Sequence, residues 1–150
     1  MPNQPDPYGL ERYLSAQEQT HSHAELELAA GRKRSHWMWF TFPQCEGLGQ
    51  SHMDQRFCIK SLAEARAYLA HPVLGTRLGQ LTALVLQHPH TPVEDIFGSV
   101  DALKFRSSMT LFAAISKPHS VFHQALEVFY HAKMDPLTER WLEKQHAKGF

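Results

Sequence analysis

Within Ser99 to Ile115, Asp101, Lys104, Ser107, Ser108 and Met109 stand close together, and steps of three and four set Asp101, Lys104 and Ser108 along one face of a helix. A carboxylate, an ammonium group and a hydroxyl in one row suit contact with a polar ligand, although a solvated face carrying an Asp–Lys pair has the same pattern. Ser35-His36-Trp37, with Trp39 close behind, forms a second cluster. His36 and the indole donors need partners when buried. Aromatic rings beside polar groups also make platforms for nucleobases, whereas tryptophans in general fill cores. A third candidate, Gly47-Leu48-Gly49-Gln50-Ser51, leads towards a helix start and could offer backbone N–H groups to an anion. It lacks the lysine and spacing of a Walker loop and also reads as a plain turn.

Eleven histidines raise the question of a metal. His21-x-His23, His88-x-His90 and the pair His119 and His123 are the spacings available, and none has a Cys, Asp or Glu partner at a diagnostic distance. There is no HExxH and no GxSxG, and neither Cys45 nor Cys58 belongs to a CxxC pair. The sequence therefore indicates no metal and no cofactor.

The elements that must position these residues read as helices. Leu10 to Ala30 carries a single apolar stripe and ends at Gly31, where Arg32-Lys33-Arg34 suits the carboxyl end of a helix dipole. His36 to Phe42 is apolar on all sides and is read as a short buried helix stopped by Pro43; Gln44 to Gln50 is a loop. A short helix is expected within Ser51 to Ile59. Capping boxes are expected at Ser61/Glu64 and Thr91/Glu94, and Pro72 in the first turn of a helix that runs to His88. Gly75 and Gly79 inside that helix suggest a close approach, by a neighbouring helix rather than a ligand. Helices from Ser99, around Phe122 to Phe129, and from Asp135-Pro136 complete the pattern. No alternating strand pattern and no repeat appears. The expectation is an all-α, mainly helical fold: a flexible tail over 1–9, then one compact orthogonal domain of seven or eight helices over 10–150.

Composition narrows the function classes. Fifteen basic residues balance fifteen acidic ones in 150 residues, so nothing in the bulk charge would hold the chain on nucleic acid or anionic lipid. Two cysteines fit a reducing compartment, and Met1 to Gly9 is polar, unlike a signal peptide. The expected location is cytoplasmic, away from membranes.

Ser35-His36-Trp37-Met38-Trp39-Phe40-x-Phe42-Pro43-Gln44, then Gly47-Leu48-Gly49-x-Ser51, resembles the signature of a family of unknown function that has been labelled calpastatin-like. Ser61-Leu62-x-Glu64-Ala65, Ile96-Phe97-Gly98, Asp101-x-x-Lys104, Ser107-Ser108-Met109-Thr110-Leu111-Phe112 and Asp135-x-x-Thr138 extend the match over nearly the whole chain. Phe57 and Glu139 depart from it, standing where a tyrosine and a leucine are expected. The resemblance implies a compact, mainly helical domain. Calpastatins are disordered repeat inhibitors, so a chain of well-capped amphipathic helices should not inhibit calpain.

The late Lys104-Phe105 is similar to a motif of the NADAR or YbiA-like proteins, which cleave N-glycosidic bonds of ribosyl compounds. That resemblance implies Asp101 or Glu46 as the acid that stabilises charge on the ribose or activates water, and Trp37 or Trp39 stacked on the base. Lys104 and the Gly47 to Gly49 loop would bind phosphate. Ser35, His36, Gln44, Ser51, Ser107 and Ser108 complete the expected ligand-binding set.

Three functions follow in order: a pocket that binds, and as an N-glycosidase hydrolyses, a nucleotide-like or ribosyl phosphate metabolite; a non-enzymatic interaction module; a redox or metal protein using Cys45 or Cys58. The first requires Ser35, His36, Lys104 and Ser108 to converge on one cleft. The second requires an exposed apolar patch.

Overall fold

Apolar side chains spaced three and four apart need a shared interior, and in the computed structural model, which describes residues 5–148, ten helices among the described residues supply it. They are α1 (Glu11–Gln17), α2 (His21–Ala29), α3 (Met38–Thr41), α4 (His52–Phe57), α5 (Leu62–Ala70), α6 (Leu74–Leu86), α7 (Val93–Phe97), α8 (Ser99–Ala114), α9 (Val121–Tyr130) and α10 (Pro136–Ala147). The fold is mainly helical as expected, but seven or eight helices undercounts it. The stripe from Leu10 to Ala30 is two helices, because the chain turns at Thr20, whose N–H donates to the Gln17 carbonyl. Gln17 is buried there and donates its amide to the Phe40 carbonyl and the Tyr68 hydroxyl.

Of the expected tail, Met1 to Gln4 lie outside the described residues. Asp6 is part of the fold: its carboxylate oxygens accept from the N–H groups of Leu10 and Glu11 at the start of α1. The caps elsewhere differ in detail from those read in the sequence. Ser61 accepts from the Glu64 N–H, but the Glu64 carboxylate turns to Arg12 and the Lys60 N–H, so the box is half made. Thr91 caps nothing, and α7 starts after Pro92. Pro72 precedes α6 by two residues, and His71 Nδ1 instead accepts from Val73 and Leu74. Asp135 with Pro136 opens α10 as expected.

The core is one contiguous cluster in which α8 is central. Phe105 and Phe112 of α8 are fully buried; Phe105 stacks on Phe97 at 4.6 Å and meets Phe42 edge-on at 5.1 Å. Truncating such a phenylalanine to alanine costs on the order of 3–5 kcal/mol. Gly75 lets α6 meet α5, since a Cβ there would lie 1.9 Å from the Leu69 carbonyl oxygen, whereas Gly79 faces open space. Among the described residues, β-pairing is confined to one parallel bridge between Cys45 and Ile59, and no helix is long and apolar enough to cross a membrane.

Candidate functional site

The first turns of α8 carry two charges one helical step apart, and each is tied to a different part of the chain. Asp101 accepts from Lys33 at 2.9 Å, and Lys33 also donates to the Ser35 carbonyl and lies 5.1 Å from the Trp37 ring centre. Lys104 donates to Asp54 at 3.1 Å and lies 5.3 Å from the ring centre of Trp39. Asp101 and Lys104 therefore do not pair with each other; they fasten the 33–37 segment and α4 to α8.

Asp54 is set by the start of α4. Ser51 accepts from the Asp54 N–H, and the Asp54 carboxylate accepts from the Ser51 N–H and hydroxyl, a complete capping box. Partial burial would raise the pKa of this carboxyl, but the Ser51 and Lys104 hydrogen bonds outweigh it and hold the group below the usual carboxylate range. Ser51 is thus engaged in capping. Its pairing with Asp54, an S-x-x-D pattern, was open to sequence inspection.

Ser35 and Trp37 serve another carboxylate. Glu27 of α2 accepts from the N–H groups of Arg34 and Ser35, the Ser35 hydroxyl and the Trp37 indole, the last at 3.0 Å. Burial works against its ionisation, but these four donors hold its carboxyl at about 2. Trp37 is fully buried and stacks on nothing a ligand could reach. His36 is exposed between them. Nothing in the spacing of Glu27 singled it out.

Trp39, Gln44, Gly49, Lys104 and Ser107 do come together. A crevice beside Trp39, Gln44 and Lys104 measures about 10 Å³, no more than a water-sized space. Outside it opens a groove of about 270 Å³ with Gln44, Leu48 and Gly49 on one wall. Val100, Leu103, Lys104 and Ser107 of α8 form its floor, and Asp135 and Leu137 at the start of α10 form the far wall. Val100, Leu103 and Leu137 remain 66%, 65% and 54% exposed. Leu103, an apolar residue within α8, faces this groove instead of the core. Two wider, more polar depressions of about 720 and 510 Å³ contain none of the expected site residues.

The expected convergence of Ser35, His36, Lys104 and Ser108 is not found in this groove: Ser35 is held by Glu27, and Ser108 is fully buried with no hydrogen-bond partner for its hydroxyl among the described residues. Ser107 donates to the Leu103 carbonyl. Glu46 and Gly47 are exposed on the loop, outside the groove lining. Asp101 and Glu46 do not face each other as an acid and base pair across it.

Cys45 and Cys58 are both buried and reduced. Burial pushes the Cys45 thiol up to about 12, so it carries no nucleophilic thiolate at neutral pH. Among the described residues, no group of three or more His, Cys, Asp or Glu side chains is placed to hold a metal ion.

A family described as "Protein of unknown function (DUF1810)" matches residues 7–142. The chain is also similar to the conserved hypothetical protein Rv1873 from Mycobacterium tuberculosis, known from a crystal structure. The two are 46% identical over 91% of this chain and 97% of the other, with a TM-score of 0.89. No curated protein matches.

Proposed function

The chain belongs to the DUF1810 family of unknown function, so its kinship brings no reaction with it, and we propose that it acts by binding: a non-enzymatic interaction module whose docking site is the groove between α8, the 44–49 loop and the start of α10. One observation carries this reading. Val100, Leu103 and Leu137 are each more than half exposed and meet at a single concavity. Exposed aliphatics gathered in one place, rather than scattered, mark interaction surfaces. A photo-crosslinking residue at position 103 tests it. The expected outcome is a discrete adduct that disappears when Leu137→Arg is added and is absent from position 26, where Leu26 is exposed elsewhere. Equal labelling from both positions would sink the reading.

A second reading, the nucleotide-like or ribosyl phosphate ligand, is favoured by the polar groups in the groove, Gln44, Lys104 and Ser107. It requires Lys104 to exchange Asp54 for the ligand's phosphate. N-glycosidic hydrolysis requires in addition a carboxylate brought to the ribose, and Asp101 would have to leave Lys33 to provide it. Thermal shifts against nucleotides, ADP-ribose and ribosyl phosphates test binding. A rise in Tm lost on Lys104→Ala would favour the ligand over the protein partner.

A further inference from the structure

The charge and shape of the groove say what kind of occupant it takes, given the docking role argued above. Its lining includes two charged side chains, Lys104 and Asp135. Lys104 is matched by Asp54 at 3.1 Å, so its charge is largely cancelled before any ligand arrives. Asp135 has no cationic partner among the described residues. One of its oxygens, Oδ2, accepts from the Thr138 N–H and hydroxyl; Oδ1 accepts no hydrogen bond from the described residues. Gln44 lines the same groove with a side-chain amide that can both donate and accept. The uncompensated charge of the groove lining is therefore that of Asp135, whose free oxygen favours an occupant that donates hydrogen bonds.

The exposure of the lining, more than its size, favours a macromolecule over a metabolite. At about 270 Å³ the concavity lies just below the roughly 300–1,000 Å³ of small-molecule sites. Three of its lining aliphatics stay more than half exposed, so an occupant that covers them lies across the rim as well as in the hollow. A side chain from a partner's surface segment does both. The geometry points to a basic, amphipathic segment of a partner protein: an aliphatic or aromatic anchor among Leu48, Val100, Leu103 and Leu137, with an adjacent lysine or arginine reaching Asp135. Arg140, one helical turn beyond Leu137, is exposed and outside the lining, so it opposes such a partner only weakly.

Peptide display against the folded protein, followed by binding of the selected peptides in solution, tests the inference. The expected sequences carry one large apolar residue flanked by Lys or Arg, and their affinity falls with added salt. Leu103→Arg should weaken them at least 10-fold and Asp135→Asn about 3- to 10-fold, with Arg140→Ala causing no loss. Asparagine is as good an N-cap as aspartate, so Asp135→Asn removes the charge and keeps α10; unchanged Tm values for both variants establish that the fold survives. Acidic peptides that depend on Leu103 would overturn the basic partner and leave the docking groove standing. Peptides indifferent to Leu103, or none selected, would overturn both.

Discussion

A Cβ on Gly49 would lie 2.3 Å from Asp54 Cγ, so the carboxylate that holds Lys104 occupies the space a side chain at position 49 would need. The glycine of the loop is therefore a steric requirement of the ion pair and not an anion cradle. Gly49→Ala should push Asp54 away and cost about 1–3 kcal/mol of stability, measured by urea denaturation. In an Asp54→Ala background the same substitution should cost distinctly less, because the two residues share one space. Additive costs would show that the clash is relieved elsewhere.

Glu27 provides the pH dependence. Its carboxyl titrates at about 2 in the fold against 4.5 for the free side chain, so its contribution to stability is present above pH 4.5 and is lost as pH falls towards 2. Between pH 7 and 5 this group should leave Tm unchanged. Below 4.5 Tm should fall, with a shallower acid limb in Glu27→Gln. Near-ultraviolet circular dichroism of Trp37, which donates to Glu27, is the local readout.

Arg12 and Glu64 make an ion pair at 2.8 Å in which the carboxylate is buried and the guanidinium about 20% exposed. The Arg12 guanidinium also donates to the carbonyls of Tyr8, Gly9, Arg56 and Cys58. Arg12→Ala leaves the buried Glu64 carboxyl without its cation, and should destabilise by about 3–5 kcal/mol. Glu64→Gln should cost less, since it removes the stranded charge. Equilibrium denaturation of the two variants separates them.

Ser108 is buried with an unpaired hydroxyl among apolar neighbours of the core. Replacing it with alanine removes a polar group that burial penalises, so Ser108→Ala should be neutral or stabilising by up to about 1 kcal/mol. A loss of more than 1 kcal/mol would mean the hydroxyl makes a bond in solution.

Helical periodicity made most of the fold legible: α8, α9 and α10 begin where glycine, serine or aspartate caps and the apolar stripe indicate. Periodicity could not reveal the break between α1 and α2, because that depends on Gln17 bonding to Phe40 and Tyr68, far along the chain. The candidate site was half legible. Lys104, Gln44 and Gly49 stood out by type and spacing, and they do line one groove. Ser35 and Trp37 stood out for the same reasons and turned out to be held by Glu27. A lone glutamate on an exposed helix gives no sign of four donors waiting 7 to 10 residues downstream. Leu103 marks a further limit: it is apolar and within α8 yet exposed, since a run of apolar residues does not say where core ends and surface begins.

The ties made by α8 and α1 also bear on how fast this chain can find its fold. Lys104 reaches Asp54 across 50 residues, and Arg12 reaches Glu64 across 52. Each closure must be made against loop entropy before any of its contacts reward it. Sequence-distant contacts of this kind slow the folding of a helical chain relative to one held by local contacts alone. Lys104→Ala should then slow folding and leave the unfolding rate nearly unchanged, as for a contact made in the rate-limiting step.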